Sequence, residues 1–269
     1  ALPIFLLTIA FGLNVWVLDS LWAAHLTKMV VYGFLSVVVS SFIAYILYGG
    51  YLRLLSLAIG LSMCIGFNHI QITYYGAILC LIIGVYFFIN AILTKTSFYF
   101  FKKIGFVLIA VTIAILSNIS LLFILQDYNK DTMRGGKTEL VKPEANSTAK
   151  EGGLDINYAF NWSYNTVELF NFFIPNAVGG SSSYKTTPKK SKLSEAIGNE
   201  VLPIYWGGQP FTGGPNYLGA SIVFLAIFSL FYWNNRMKYA FLIAILLSMA
   251  MGLGKYFIEF NEILFNYLP

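Results

Sequence analysis

Apolar residues in this chain come in runs close to 20 long, the length a helix needs to cross the roughly 30 Å hydrocarbon layer of a bilayer. The pattern predicts about seven membrane-spanning helices, at Ala1–Val17, Met29–Leu47, Leu54–Phe67, Ile72–Leu93, Ile104–Leu125, Leu218–Trp233 and Met237–Leu253. The third run holds only 14 residues. Such a segment must be extended by its flanks, tilted, or re-entrant within the bundle.

One gap is too long for a connection. Residues Gln126 to Pro215 are polar and rich in Gly, Ser, Asn and Lys, which predicts a folded or half-folded element outside the membrane. Within it Trp162, Thr166, Leu169, Phe170, Phe173 and Ile174 recur at helical spacing until Pro175. This predicts an amphipathic helix over 162–174 lying on the outer leaflet. Tyr256 to Leu268 carries a similar stripe, through Phe257, Phe260, Ile263 and Leu264. The expected organisation is therefore five spans over 1–125, an extramembrane loop over 126–215, two spans over 216–253 and an interfacial helix over 254–269. The fold class is all-α integral membrane.

Composition agrees: 58% hydrophobic, 17% aromatic and 11% charged residues cannot surround one soluble core of this size. Alternating the spans puts Arg53, Lys95, Lys102, Lys103, Arg236 and Lys238 in short loops of one side, against Lys28 on the other. The lysine-rich side is predicted to be cytoplasmic. The long insertion, the Asp19–Lys28 loop, the Asn68-His69 turn and Lys255 then face outward. The net charge of +5 needs only these anchors and a lysine-rich loop, and nothing in it points to nucleic acid. Cys64 and Cys80 both fall in apolar runs, where a thiol behaves as a small hydrophobe, so neither a disulfide framework nor a metal site is expected. The chain opens on Ala1 without an initiator Met or a signal peptide and ends at Pro269 without a tail, which reads as a piece of a longer protein.

Polar residues near span ends are the candidate chemistry, because ionisable groups at membrane depth are expensive. His25 and Lys28 are three apart, on one helical face, and offer two cationic donors to a phosphate. The alternative is a snorkelling lysine beside a histidine bonded to a carbonyl. Asn68-His-Ile-Gln-Ile-Thr-Tyr-Tyr75 gathers amides, an imidazole and phenols. Such a set either hydrogen-bonds a sugar or lines a wet cavity, or it caps two helices and places tyrosines in the interface belt. Arg134 and Lys137 follow the fifth span closely enough to reach an anionic headgroup or to form a solvated charge run.

Taken together and in order, these segments resemble one family, the bacterial YfhO-type multi-span membrane proteins in their Bacteroidetes-like form. His25-Leu-Thr-Lys28 resembles the family's GHxxK motif with Ala24 for glycine, and Asn68 to Tyr75 its NHxQxTYY segment. Thr132 to Leu140 resembles TRGxSEL with an extra glycine. Trp162-Ser-Tyr164 through Phe170-Asn171, Ile174-Pro175 and Gly179-Gly180 resembles YSYxxxExFNLxIPxxxGG, with Glu168 at the acidic position. Tyr205-Trp-Gly-Gly-Gln-Pro-Phe-Thr-Gly-Gly-Pro-Asn-Tyr217 resembles YWGxQPFxxGPxY, and Gly254-Lys255 resembles WGKN with Leu253 and Tyr256 at its ends.

The resemblance implies a GT-C-like helical bundle in the bacterial inner membrane with its site on the outer, periplasmic face. The implied activity moves a sugar from a polyprenyl-phosphate carrier to a cell-envelope acceptor. On that reading His25, Lys28, Arg134 and Lys255 are candidate phosphate contacts. Asn68, His69, Gln71, Glu168, Tyr205, Trp206 and Gln209 are candidate sugar or cavity contacts. An inverting transfer also needs a base for the acceptor hydroxyl. In such enzymes this aspartate sits in the first outer loop, which here would precede Ala1. Asp19 is the only acid in an early outer loop and does not match that motif. The implied partners are membrane lipids, the lipid-linked sugar donor and other membrane or envelope proteins. No cofactor is implied beyond that donor, and a divalent metal is left open. The alternative function is a non-catalytic membrane subunit of an envelope or secretion assembly.

Overall fold

A computed structural model describes residues 8–132, 155–182, 184–185, 192–197, 201–202, 204–212, 214 and 216–268. The principal helices are α1 (Val15–Trp22), α2 (Leu26–Tyr48), α3 (Tyr51–Gly66), α4 (Ile70–Leu93), α5 (Ser97–Leu116), α6 (Ile119–Lys130), α7 (Ala220–Tyr232), α8 (Met237–Gly252) and α9 (Ile258–Tyr267). Strand pairing among the described residues is confined to a two-residue antiparallel ladder, β1 (Tyr184–Lys185) with β2 (Val201–Leu202), and a bridge between Gly179 and Tyr205. The protein is helical, and its apolar helices are those of a membrane protein.

Among the described residues, three helices are long and apolar enough to cross a membrane: α2, α4 and α5. A fourth span results if α8 and the Gly254–Tyr267 segment, bent by 111° at their junction, count as one broken span. The helices at Thr8–Trp22, Tyr51–Gly66 and Ala220–Tyr232 are apolar but shorter. Of the seven expected runs, Met29–Leu47 and Ile72–Leu93 lie within α2 and α4. The expected Ile104–Leu125 span is displaced. Its helix begins earlier, at Ser97, and stops at Leu116, with α6 following as a separate helix. The cause is polar: Asn118 turns its amide into α3, donating to Ser62 O at 3.1 Å and Ser62 Oγ at 3.0 Å. Ser117 and Ser62 share a further hydrogen bond of 2.8 Å.

The described residues fall into two compact units, one formed by 24–132 and 235–244, the other by 8–23, 155–234 and 245–268. The first is an antiparallel bundle of α2 to α5. Its core lines up Val31, Val38, Phe42 and Tyr45 of α2 with Leu57 and Cys64 of α3, Ile83 and Phe87 of α4, Val107 and Ala110 of α5, and Met237. Small residues at the contacts, among them Ala58, Gly60, Ala110 and Ala114, let the backbones approach closely, which is how helices associate where lipid removes the hydrophobic drive.

Basic residues cap one end of this bundle. Arg53 Nη1 donates to Gly49 O at 2.8 Å and Lys103 Nζ to Ile46 O at 2.5 Å. Both cations thus sit on the carbonyl end of α2, where the helix dipole favours positive charge. Lys95 occupies the α4–α5 elbow at the same end, with φ of 56°.

The second unit holds the polar motifs. Over 162–174 there is no amphipathic α-helix: the segment is a series of turns ending in a single 3-10 helix, Glu168–Phe172. Its polar residues compete for the backbone groups a helix would use. Glu168 N donates to Asn165 Oδ1 at 2.8 Å while Asn165 N donates to Glu168 Oε2 at 2.8 Å, a reciprocal cap that closes the turn locally. The stripe at Tyr256–Leu268 does form, as a 3-10 turn at Gly254–Phe257 followed by α9.

Candidate functional site

In the bundle unit, two elbows are built alike. Ala24, with φ of 57°, precedes His25, and Asn68, with φ of 56°, precedes His69. Each histidine is the N-cap of the next helix, α2 or α4, and neither makes a side-chain cap. The position of Ala24 is one where glycine would be favoured, because a Cβ strains a left-handed backbone.

These elbows share one end of the bundle. Phe34 of α2 stacks on Phe67, centroids 6.2 Å apart. Thr73 Oγ1 of α4 donates to Cys64 O of α3 at 3.3 Å, and Cys64 Sγ reaches Val31 O of α2 at 3.8 Å. His69 is held below the usual histidine range by its burial and then by the nearby charges of Lys28 and His25. The one salt bridge among the described residues joins Lys130 to Asp127, so among the described residues none of these three basic side chains is paired with a carboxylate. Gln71 donates to the Tyr75 hydroxyl at 3.0 Å and stays exposed with Asn68.

In the other unit, the motifs around Tyr164, Gly179, Tyr205 and Gly254 fold onto one another around Glu168, which is 2% exposed. Its Oε2 accepts from Asn165 N and from Gly208 N at 3.2 Å, and its Oε1 accepts from the Tyr205 hydroxyl. That hydroxyl accepts in turn from Gln209 N at 2.9 Å. The Tyr205 phenol is pushed up by burial, and further by its bond to Glu168, so it remains a donor at any physiological pH. Gly207 is required here, since a Cβ would lie 2.1 Å from the Tyr205 hydroxyl and 2.3 Å from Glu168 Oε1.

The surrounding strands of chain are pinned the same way. Trp206 N donates to Val178 O at 2.9 Å and Gly180 N to Ile204 O at 3.2 Å. Asn216 donates to the Tyr164 hydroxyl, and Gln209 also bonds that hydroxyl through its side chain. Burial raises the Tyr164 phenol, and the Asp19 carboxylate adds to the rise, which places Asp19 within electrostatic reach of the motif cluster. Lys255 N donates to Ser163 Oγ at 3.0 Å and Tyr164 N to Gly252 O at 2.9 Å. The Lys255 ammonium lies 5.3 Å from the Tyr256 ring. The space enclosed by Tyr164, Glu168, Asn171, Tyr205, Gln209 and Asn216 measures about 10 Å³, on the order of one water molecule.

The sequence-named residues therefore divide. His25, Lys28 and His69 come together at one end of the bundle, with Asn68 and Gln71 exposed beside them. Glu168, Tyr205 and Gln209 form a closed hydrogen-bonded cluster in the second unit, where Asp19 and Lys255 also belong. Trp206 points outward, 80% exposed. Arg134 lies outside the described residues. No group of three or more metal-ligating side chains occurs among the described residues. Sequence reasoning missed Ser163 and Asn261, both 4% exposed. Asn261 donates to Ala250 O at 2.9 Å, Gly254 O at 3.3 Å and Phe257 O at 3.1 Å, fixing the α8–α9 bend. In the sequence Asn261 is one of four polar residues, with Glu259, Glu262 and Asn266, that fall largely off the apolar stripe, so nothing singled it out. No known protein family, curated protein or solved structure matches this chain.

Proposed function

We propose that the protein is a membrane glycosyltransferase-like component of the bacterial inner membrane that handles a sugar carried on a polyprenyl phosphate and destined for a cell-envelope acceptor. One observation carries the reading: His25, Lys28 and His69 gather at one end of an apolar helix bundle with no carboxylate paired to them among the described residues. Unpaired basic side chains at the end of a membrane bundle fit an anionic lipid group, and a phosphate is the anion they recognise best. The opposite end carries Arg53, Lys95, Lys102 and Lys103, which by the charge bias of membrane proteins is the cytoplasmic end. The histidine end then faces the periplasm. In the second unit, exposed Trp206 and Phe211 offer aromatic faces of the kind that stack on sugar rings. Asp19, whose charge acts on Tyr164 in that unit, is the candidate base within this chain.

The test is transfer of radiolabelled sugar from a polyprenyl-phosphate donor to envelope acceptors by the full-length protein in proteoliposomes. Transfer abolished by Asp19→Asn supports a base in this chain. Absence of transfer by the wild-type protein with every envelope acceptor fraction overturns the enzymatic reading.

A second reading has its own support. Glu168 and Tyr205 are fully hydrogen-bonded around a space too small for a sugar, as expected of a scaffold in a non-catalytic subunit of an envelope assembly. Co-purification of a stoichiometric membrane partner with a transfer-inactive protein would favour it.

A further inference from the structure

The α2 and α4 elbows stand at one level, which follows from a contact two turns below them. Gly76 of α4 packs against Leu35 of α2, so closely that a Cβ on it would lie 2.0 Å from Leu35 Cδ1. Lys28 precedes Leu35 by seven residues and His69 precedes Gly76 by seven. Seven residues are close to two helical turns, so Lys28 and His69 sit on the mutually facing sides of parallel helices, each about 10 Å above the contact. His25 lies one turn beyond Lys28 on the same face.

The backbone adds to this. Neither histidine caps its helix through its side chain, so the N–H groups of Leu26, Thr27 and Lys28 in α2 and of Ile70 and Gln71 in α4 meet no capping side chain, while the Ile72 N–H bonds His69 O at 3.1 Å. Two helix N-termini and three basic side chains thus meet at one place. The charged groups acting on His69 are Lys28 and His25 of α2. On the other elements, Thr73 Oγ1 of α4 donates to His69 O at 3.4 Å and to Cys64 O of α3 at 3.3 Å, and the uncharged Asn118, following α5, lies against Gly66 at the same end of α3. The described acids of this unit, Asp127 and Asp131, lie at the last turn of α6 and beyond it, and Asp127 is held by Lys130 at 3.0 Å. Among the described residues no carboxylate pairs with the three basic side chains.

We propose that His25, Lys28 and His69 form a proton-dependent binding site for a phosphate diester, Lys28 supplying the permanent charge, His69 adding its own as pH falls and His25 a further hydrogen-bonding ring nitrogen. The proposal rests on the phosphate half of the function above and extends it: it gives His69 a proton-linked role in that site and makes affinity a function of pH. A sugar linked through a polyprenyl phosphate is such a diester. Its single negative charge does not change between pH 5 and 8, so any pH dependence belongs to the protein. Without ligand, burial and the two neighbouring positive charges oppose protonation of His69. A bound anion reverses the sign of that field and draws the proton on.

The probes are dimethyl phosphate in solution and dihexadecyl phosphate in mixed detergent micelles, titrated against the full chain by thermal shift. Unfolding is followed through dye labelling of Cys64 and Cys80, both in this unit. Binding of either probe is expected to be about tenfold tighter at pH 5.5 than at pH 8, on the order of one added charge-assisted hydrogen bond. His69→Gln should lose most of that ratio yet keep the pH 8 affinity. Lys28→Met should weaken binding at both pH values, and Lys28→Arg should restore it, which separates a lost contact from a lost fold. Binding of the lipid probe alone assigns the site to a headgroup; equal binding of both assigns it to phosphate diesters in general, and both outcomes support the site. Equal affinity at the two pH values, or a His69→Gln variant with the full ratio, overturns it. Sugar transfer with pH-independent binding would remove this proposal and keep the enzyme. Proton-dependent binding without transfer would do the opposite.

Discussion

Replacing Glu168 by glutamine tests whether this carboxylate is the fastener of the second unit. The two oxygens of Glu168 accept from two backbone N–H groups and one phenol. A glutamine supplies one oxygen and two donors. If the oxygen stays with Asn165 N and Gly208 N, the new amide faces the Tyr205 hydroxyl, which already accepts from Gln209 N. The phenol proton then has no acceptor in a site where Glu168 is 2% exposed. Hydrogen bonds to a charged group contribute about 1.5–3 kcal/mol, and an orphaned buried donor costs about 1–3 kcal/mol. A loss of about 2 kcal/mol is expected, or roughly 4–8 °C in unfolding midpoint for a chain of this size.

The assay has an internal control. All five tryptophans, Trp16, Trp22, Trp162, Trp206 and Trp233, belong to the second unit, while Cys64 and Cys80 belong to the bundle. Tryptophan fluorescence should therefore register the drop in Glu168→Gln with little change in cysteine labelling. Tyr205→Phe should lower the same signal by a similar amount. The double variant should cost less than the sum, by about 1–2 kcal/mol, because the two residues share one bond. An unchanged tryptophan midpoint in Glu168→Gln, or strict additivity, would refute the fastener role.

Gly207→Ala should destabilise the tryptophan-reported transition by more than about 2 kcal/mol, since its Cβ meets a buried pair that cannot withdraw. Gly76→Ala should be milder in the cysteine-reported transition, because the crowded atom is the free end of the flexible Leu35 side chain. Asn261→Ala leaves three carbonyls without their donor and should lower the tryptophan midpoint by the equivalent of about 2–3 kcal/mol. For His69 the folded state resists protonation, so the unfolded chain binds more protons and stability rises with pH across the window. Ligand-free protein should lose cysteine-reported stability as pH falls below about 6.5, the ordinary histidine value, and His69→Gln should flatten that slope.

What the sequence made legible was whatever depends on neighbours along the chain. The apolar runs of α2 and α4 appear close to where the pattern puts them, and the third run is short, as expected. What it hid depends on contacts far away. Nothing in the apolar run from Ile104 onward marks its break after Leu116, because Asn118 is satisfied by Ser62, 56 residues earlier. The 162–174 stripe has a helical period, yet Asn165 and Glu168 bind each other's backbone, and the period counts only apolar positions. Glu168 itself is an acid in a polar loop by sequence and a buried acceptor by structure. Only the chain arriving from Tyr205 to Gly208 decides between these.

The same distinction bears on where chemistry can reside. A side chain whose every polar atom is matched within the fold, such as Tyr205 or Glu168, already spends its bonding capacity on shape. It can position other groups, and because its bonds are turned inward a substrate reaches it only by opening the cluster. His25, Lys28 and His69 are the reverse case: basic groups at helix starts without side-chain caps, paired with no acid among the described residues. The elbows are partly solvated, which tempers the field of Lys28 and His25 on His69. Groups that the fold leaves in electrostatic deficit are better candidates for binding than groups it has satisfied, whatever motif contains them. By that criterion the two short elbows with one histidine each rank above the Tyr205–Tyr217 segment as a place for a ligand.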